Sequence, residues 1–148
     1  MDQHQRGSMI GDPWARLTLR EAASRLDVSE DDIIARERNG ELFSVCLPES
    51  GPERLYVAFQ FIPSLMGRVM QQCIAELGTS DSTAAYAFFM GRCHELGQSM
   101  PAELLCGRAR NARELTADAL DLLALPAEDR LGYVLAAARA FRADSSGW

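Results

Sequence analysis

The chain has 148 residues, of which 47% are hydrophobic, and a formal net charge of −6. This length suits one domain or two very small ones, and the apolar content supplies a core, which argues against wholesale disorder. No apolar stretch approaches the length of a membrane span and no signal-like segment opens the chain, so we expect a cytoplasmic protein that does not enter the membrane.

Two short helices are predicted near the N-terminus, after a polar, aperiodic stretch. Thr18, followed three residues later by Glu21, forms a capping box ahead of a helix over 19–26. Asp27 opens a tight turn, and Ser29 caps a second helix over 30–39. The small side chains at positions 22 and 23 allow the two helices to cross closely. This pattern predicts a helix-turn-helix.

A β-hairpin is predicted directly after the second helix. Residues 42–47 and 54–59 are strand-like, and the turn-forming residues 48–52 lie between them. Together with the two helices, this hairpin would make a winged helix-turn-helix. The stretch from Thr18 to Ser29, followed by Ile33 and by Gly40-Glu-Leu42, resembles the N-terminal module of MerR-type and excisionase-type winged helices. That resemblance implies a module that binds DNA.

The charge of this module opposes simple DNA binding. Residues 12–62 contain six arginines and ten acidic residues, a balance of −4, and the second helix opens with three acids. Phosphate neutralisation supplies much of the affinity for DNA, so a basic surface is the usual signature of a DNA-binding protein. The candidate DNA contacts are Ser29, Arg36, Arg38 and Arg54, the last on the wing; solvated surface charge is the alternative for the arginines.

The remaining chain is predicted to form a bundle of four to five helices. Apolar residues recur at three- and four-residue spacing in the clearest of them, over 63–77. Further helices are predicted at 83–96, 101–106, 112–123 and 126–142. The predicted architecture is therefore mainly α, in four parts: a flexible tail over 1–11, the winged module over 12–62, the helical bundle over 63–142 and a frayed tail over 143–148.

Two segments resemble one family of bacterial antitoxins. Val57-Ala-Phe-Gln-Phe61, after Tyr56, resembles a "Y-P-A-F-Q-F" segment of bacterial antitoxin-like proteins, with valine in place of proline. Leu96-Gly97-Gln-Ser-Met-Pro101-Ala-Glu-Leu-Leu-Cys-Gly107 resembles the turn-helix of MbcA/ParS-type toxin-binding domains, one residue short at the final glycine. The resemblance implies a toxin or another regulator as protein partner. The candidate partner-binding residues are Met66, Met70, Phe88, Phe89 and Leu104; an ordinary core position is the alternative for each.

Catalytic and metal-binding patterns are not found in the sequence. The four cysteines are unevenly spaced without a CxxC pair, and Cys93-His94 is adjacent, which prevents both side chains from easily facing one metal. His94 is interpreted as a helix-surface residue. We therefore expect no cofactor and no enzyme activity.

Two functions are consistent with these patterns. The first is an antitoxin-like protein or transcriptional regulator that binds DNA through the winged module and a protein through its helical half. Such a protein is expected to be a homodimer, because small helix-turn-helix proteins usually read two half-sites. The second is an adaptor that does not bind DNA and uses its acidic helix-turn-helix for protein–protein interaction.

Overall fold

The computed structural model describes residues 12–79 and 81–146, and among these the fold is mainly helical. The α-helices are α1 (Leu19–Leu26), α2 (Glu30–Arg38), α3 (Arg68–Leu77), α4 (Ser82–Met90), α5 (Pro101–Cys106), α6 (Ala117–Leu123) and α7 (Ala127–Ser146), and the strands are β1 (Arg16–Thr18) and β2 (Leu55–Val57). Short 3-10 turns lie at Pro48–Ser50, Ala58–Phe61, His94–Leu96 and Ala112–Glu114. None of the described helices is long and apolar enough to cross a bilayer. The predicted tail over 1–11 lies outside the described residues.

The chain divides into two compact units, one ending at Gln71 and the other beginning at Gln72, so the boundary falls within α3. The N-terminal unit begins as predicted. The Thr18 hydroxyl accepts a hydrogen bond from the Glu21 amide at 3.1 Å, and the Glu21 carboxylate accepts one from the Thr18 amide at 2.8 Å. Asp27 adopts the left-handed conformation that the tight turn needs, with φ 57°.

The small sheet differs from the predicted hairpin. β1 pairs with β2 in antiparallel register, with Leu17 opposite Tyr56. The predicted strand over 42–47 is reduced to a single bridge between Val45 and Leu55. The hairpin prediction is therefore wrong in its first strand. The reason is that the buried side chain of Gln60, rather than a strand, takes both backbone hydrogen bonds of Phe43.

The core of the N-terminal unit lies between the two helices and the sheet. Ala22 and Ala23 are buried where α1 meets α2, and Ile33 and Tyr56 are fully enclosed. The remaining buried members of this cluster are Leu17, Leu42, Ala58 and Phe61. Small residues at the crossing let the two short helices approach, as the sequence predicted.

The second unit is helical, with several boundaries that differ from the prediction. The helix predicted from 63 starts at Arg68, because Gly67 has φ +87° and interrupts it. α4 ends at Met90, where the extended Gly91 breaks the helix predicted to reach 96. The helix predicted over 112–123 divides before the cap at Thr116, and the last helix runs to Ser146, so residues 143–146 are helical instead of frayed.

Aromatic and backbone contacts hold this unit together. Phe88 of α4 packs edge-on against Phe141 of α7, with ring centroids 5.4 Å apart. Pro101 starts α5 and Gly107, with φ +67°, ends it, as the sequence predicted. Arg130 of α7 donates to the carbonyl oxygens of Leu104 and Leu125, each at 2.9 Å. The bond to Leu104 ties α7 to the end of α5, and the bond to Leu125 holds the turn between α6 and α7.

Candidate functional site: the face of helix α2

Helix α2, the second of the two short N-terminal helices, presents an exposed surface with acids at its start. Ser29 caps the helix, its hydroxyl accepting from the Asp32 amide at 3.0 Å, as predicted. The exposed residues of this helix and its end, which we call the α2 face, are Glu30, Asp31, Ala35, Arg38 and Asn39. Carboxylates at a helix N-terminus suit the helix dipole. In a helix-turn-helix that enters the major groove, this same end meets the bases.

Two of the predicted DNA contacts are already bound to carboxylates of the chain. Arg36 is partly buried, and its guanidinium lies 3.2 Å from Asp32 and 3.7 Å from the sulfur of Met66. Arg54 lies 3.1 Å from Glu37. Each cation already has a carboxylate partner within the chain, so a phosphate would have to displace Asp32 or the mostly buried Glu37. Their positions therefore weaken the predicted electrostatic contact.

Arg38 is in a different position from these two arginines. It is exposed at the last turn of α2, and it takes part in none of the ion pairs among residues 12–79 and 81–146. The exposed α2 face consequently combines two acids at its start with one arginine near its end. The four predicted contacts do not form a continuous basic surface, because only Arg38 offers an unpaired charge.

Glu37 is the polar centre of the N-terminal unit, and the sequence analysis did not single it out. One carboxylate oxygen accepts from the Tyr56 hydroxyl at 2.7 Å and from Arg54 at 3.1 Å, and the other accepts from the Ser44 hydroxyl at 2.6 Å. Burial and the hydrogen bond to Glu37 raise the pKa of Tyr56 well above its usual value. The hydrogen bond with Tyr56, and then the Glu37 charge, raise the pKa of Arg54. The sequence did contain a signal for this residue. Glu37 lies one turn after the inward-facing Ile33, so its side chain is expected on the inner face of the helix.

The residues predicted to bind a protein partner lie inside the chain. Four of them are buried: Met70, Phe88, Phe89 and Leu104. Met66 is partly buried, and its sulfur contacts Arg36. A buried side chain offers no surface to another protein. The prediction is therefore wrong for these four residues, which are core positions, and Met66 packs against the core of the N-terminal unit. The apolar periodicity that suggested them is equally typical of a helix face turned toward the core.

The segment resembling the antitoxin turn-helix is also structural. Gly97 adopts φ +66° in the turn, and its carbonyl accepts a hydrogen bond from the Thr116 hydroxyl at 2.9 Å. The carboxylate of the buried Glu103 accepts from the amides of Met100 at 2.8 Å and Arg110 at 2.7 Å. These contacts hold the local fold of the turn and the short helix.

A cleft of about 570 Å³ opens beside this segment. His94 lies at its edge with a ring nitrogen 3.3 Å from the Gln98 amide, and it is exposed, as expected for a surface position. The lining residues are His94, Glu95, Gly97, Gln98, Thr116, Asp118, Asp121, Leu122 and Tyr133. The Thr116 hydroxyl is engaged both as a donor to Gly97 and as an acceptor from Ala119, so it serves as a helix cap.

Three of the four cysteine thiols are at least partly buried. Burial raises the pKa of Cys73 and Cys106 to about 12 and that of Cys93 to about 11, so these thiols stay protonated at neutral pH and are weak nucleophiles. Cys46 is exposed. Within the described ranges, no three His, Cys, Asp or Glu side chains converge into a group that could hold a metal ion.

Comparison of the chain with protein-family models, with curated proteins and with solved structures finds no match in any of the three.

Proposed function

We propose that this chain is a regulatory protein that acts by binding another protein, with its helix-turn-helix serving as a protein-binding module instead of a reader of duplex DNA. One observation carries the proposal: two of the arginines that would meet phosphates are held by Asp32 and Glu37, while the exposed start of α2 carries Glu30 and Asp31. A surface of this kind repels the DNA backbone. It suits a partner that brings basic side chains.

The antitoxin resemblance supports the kind of regulator proposed. Residues 57–61 and 96–107 resemble segments of that family, and in this chain they close the core and shape a turn. A toxin or another regulator is accordingly the partner we propose. The resemblance supports the fold of the module more directly than the identity of the partner, because the matching residues are mostly buried.

A second function, DNA binding, is favoured by one feature. The two capped helices and the left-handed turn at Asp27 have the arrangement of a DNA-binding helix-turn-helix, and Arg38 remains exposed near the end of α2. A dimer could bring two such arginines to one duplex. This function requires that contacts elsewhere overcome the acidic start of α2.

The two functions are separated by titrating the protein with duplex DNA from its own upstream region, followed by fluorescence anisotropy. We expect weak binding that is the same for an unrelated duplex and unchanged by Arg38→Ala. A specific complex that Arg38→Ala weakens, and that loses affinity steeply between about 50 and about 200 mM salt, would establish DNA binding instead.

A charge reversal tests the physical reason directly. Asp31→Arg places a cation at the exposed start of α2, and we expect it to raise DNA affinity at low salt. Asp121→Arg, a charge reversal at an exposed position of α6, serves as the matched control and should raise the DNA affinity less.

In the native host, the wild-type chain should co-purify with a protein that the double variant Glu30→Lys, Asp31→Lys fails to retain. Retention by both chains contradicts a protein-binding role for the α2 face.

A further inference from the structure

One face of helix α7 is exposed although it carries an aromatic side chain. Val134, Ala137 and Ala138 are buried on the inner face, whereas Tyr133 is 47% exposed on the opposite face. It is one of two large hydrophobic side chains that are exposed in the described part of the chain. The outer face, which we call the Tyr133 face, contains Asp129, Gly132, Tyr133, Ala136 and Arg139.

The Tyr133 face has room for a helix to lie against it. A shallow cleft of about 420 Å³ is lined by Leu125, Asp129, Gly132, Tyr133 and Ala136. A side chain added at Gly132 would meet no atom within 4 Å, so the space above the helix is open. The short side chains at Gly132 and Ala136 would let a second backbone approach beside the tyrosine ring. Exposed apolar surface of this kind marks interaction sites.

The charges on this face indicate what covers it. Asp129 lies five residues before Val134 and Arg139 five residues after it, at opposite ends of the face. Suppose that a second α7 packs antiparallel against the Tyr133 face, with the two helices crossing at the level of Val134. Asp129 of each copy then lies opposite Arg139 of the other. In the same pairing Gly132 lies opposite Ala136. A parallel pairing would instead place Asp129 against Asp129, which like-charge repulsion disfavours.

We propose that the Tyr133 face binds a second copy of this chain, forming a two-fold symmetric dimer through antiparallel α7 helices. The face is self-complementary, as an isologous interface must be. Asp129 has no ion pair within residues 12–79 and 81–146, so its charge is available. Arg139 has an intrachain pair with Glu76 at 3.6 Å, on the surface. Exposed pairs of this kind contribute little and are readily exchanged.

The strength of this dimer follows from its size. One helix pair buries less surface than a standard stable interface, so we expect reversible association that depends on concentration. The proposal stands apart from the function of the α2 face, because it concerns a different unit of the chain. Failure of one leaves the other unaffected.

Sedimentation velocity of the full chain over a range of concentrations tests the proposal, with circular dichroism to confirm folding of each variant. We expect Asp129→Arg alone, and Arg139→Asp alone, to weaken the dimer by roughly a hundredfold, because the two-fold axis duplicates each repulsive pair. The double variant Asp129→Arg, Arg139→Asp restores the opposite charges and should recover most of the association. Tyr133→Ser should weaken it without rescue. Glu53→Arg, on an exposed loop of the N-terminal unit, is the control that should leave it unchanged.

Three results would overturn the proposal. The first is a chain that stays monomeric at high concentration, which would assign the Tyr133 face to a different protein. The second is a dimer that is indifferent to all four variants, which would place the interface elsewhere. The third is a double variant as weak as either single variant, since the antiparallel charge pairing would then be absent.

Discussion

The carboxylate of Glu37 accepts three hydrogen bonds that join α2 to two other segments of the N-terminal unit. It receives the hydroxyls of Ser44 and Tyr56 and the guanidinium of Arg54, from chain segments that lie outside α2. Hydrogen bonds to a charged group are stronger than those between neutral groups. The side chain of Glu37 is only 17% exposed, which protects these bonds from water. Glu37 therefore helps to fix the position of α2 relative to the sheet, together with the buried Ile33.

The raised pKa of Tyr56 makes this contribution pH-dependent. An unfolded tyrosine ionises near its ordinary pKa of about 10, whereas the buried Tyr56 stays protonated there. The folded state then holds more protons than the unfolded state, so the free energy of unfolding falls as the pH rises above about 10. Below that pH the full contribution of the hydroxyl is present.

Tyr56→Phe tests this sign. We expect it to lower the free energy of unfolding by about 2 kcal/mol at neutral pH, because the Glu37 bond is lost. The gap between wild type and variant should then shrink by up to about 1.4 kcal/mol per pH unit above about pH 10. Urea unfolding at several pH values measures both chains, and the shifts of the cysteine thiols cancel in the difference. A gap that stays constant with pH would contradict the pKa shift.

At the scale of elements, Gln60 completes the sheet in place of a strand. Its amide oxygen accepts from the Phe43 amide at 2.8 Å, and its amide nitrogen donates to the Phe43 carbonyl at 3.0 Å. A neighbouring backbone would make the same two bonds in an antiparallel ladder. Gln60 is completely buried, as its position within the apolar run after β2 requires. The glutamine of the motif is therefore a structural residue.

Substitution of Gln60 tests that role. Gln60→Ala removes both hydrogen bonds that this side chain makes to the backbone of the buried Phe43, and we expect the free energy of unfolding to fall by about 3 kcal/mol. Gln60→Glu keeps an acceptor but buries a charge and loses the donor, so it should be no milder at neutral pH. Gln71→Ala is the matched control: the exposed Gln71 amide also donates to a backbone carbonyl, that of Asn39, at 3.3 Å. Chemical denaturation should show a loss below about 0.5 kcal/mol for this control. Equal losses at the two glutamines would contradict the interpretation.

The features that could be predicted from the sequence are those set by residues close together in the chain. The bounds of α1 and α5 matched, because the caps at Thr18 and the Pro101–Gly107 pair act over a few residues. The pairing of β1 with β2 could not be read in this way, since it joins segments far apart in the chain. The Gln60 bonds to Phe43 depend on the same long-range placement. The partner-binding residues failed for a related reason: apolar periodicity does not distinguish a core face from a binding face.

At the scale of the whole molecule, the division between Gln71 and Gln72 predicts that a destabilising substitution acts mainly within its own unit. Gly107 in the second unit has φ +67°, and an added Cβ would collide with the guanidinium of Arg130. Gly107→Ala therefore combines backbone strain with loss of the Arg130 bonds to Leu104 and Leu125. Gln60→Ala is the equivalent disturbance in the N-terminal unit. Each is expected to act on the unit that contains it.

Amide hydrogen exchange measures this expectation residue by residue. Gly107→Ala should speed exchange in helices α5 and α7, whereas Gln60→Ala should speed exchange around β2 and α2. In the double variant, the two losses in the free energy of unfolding should add. Gly132→Ala is the matched control for the glycine at concentrations where the chain is monomeric, because its added methyl group enters open space within a helix and should be neutral or slightly stabilising. If either disturbance speeds exchange equally on both sides of Gln71, the chain unfolds as one cooperative body. The two units would then be divisions of shape and not of stability.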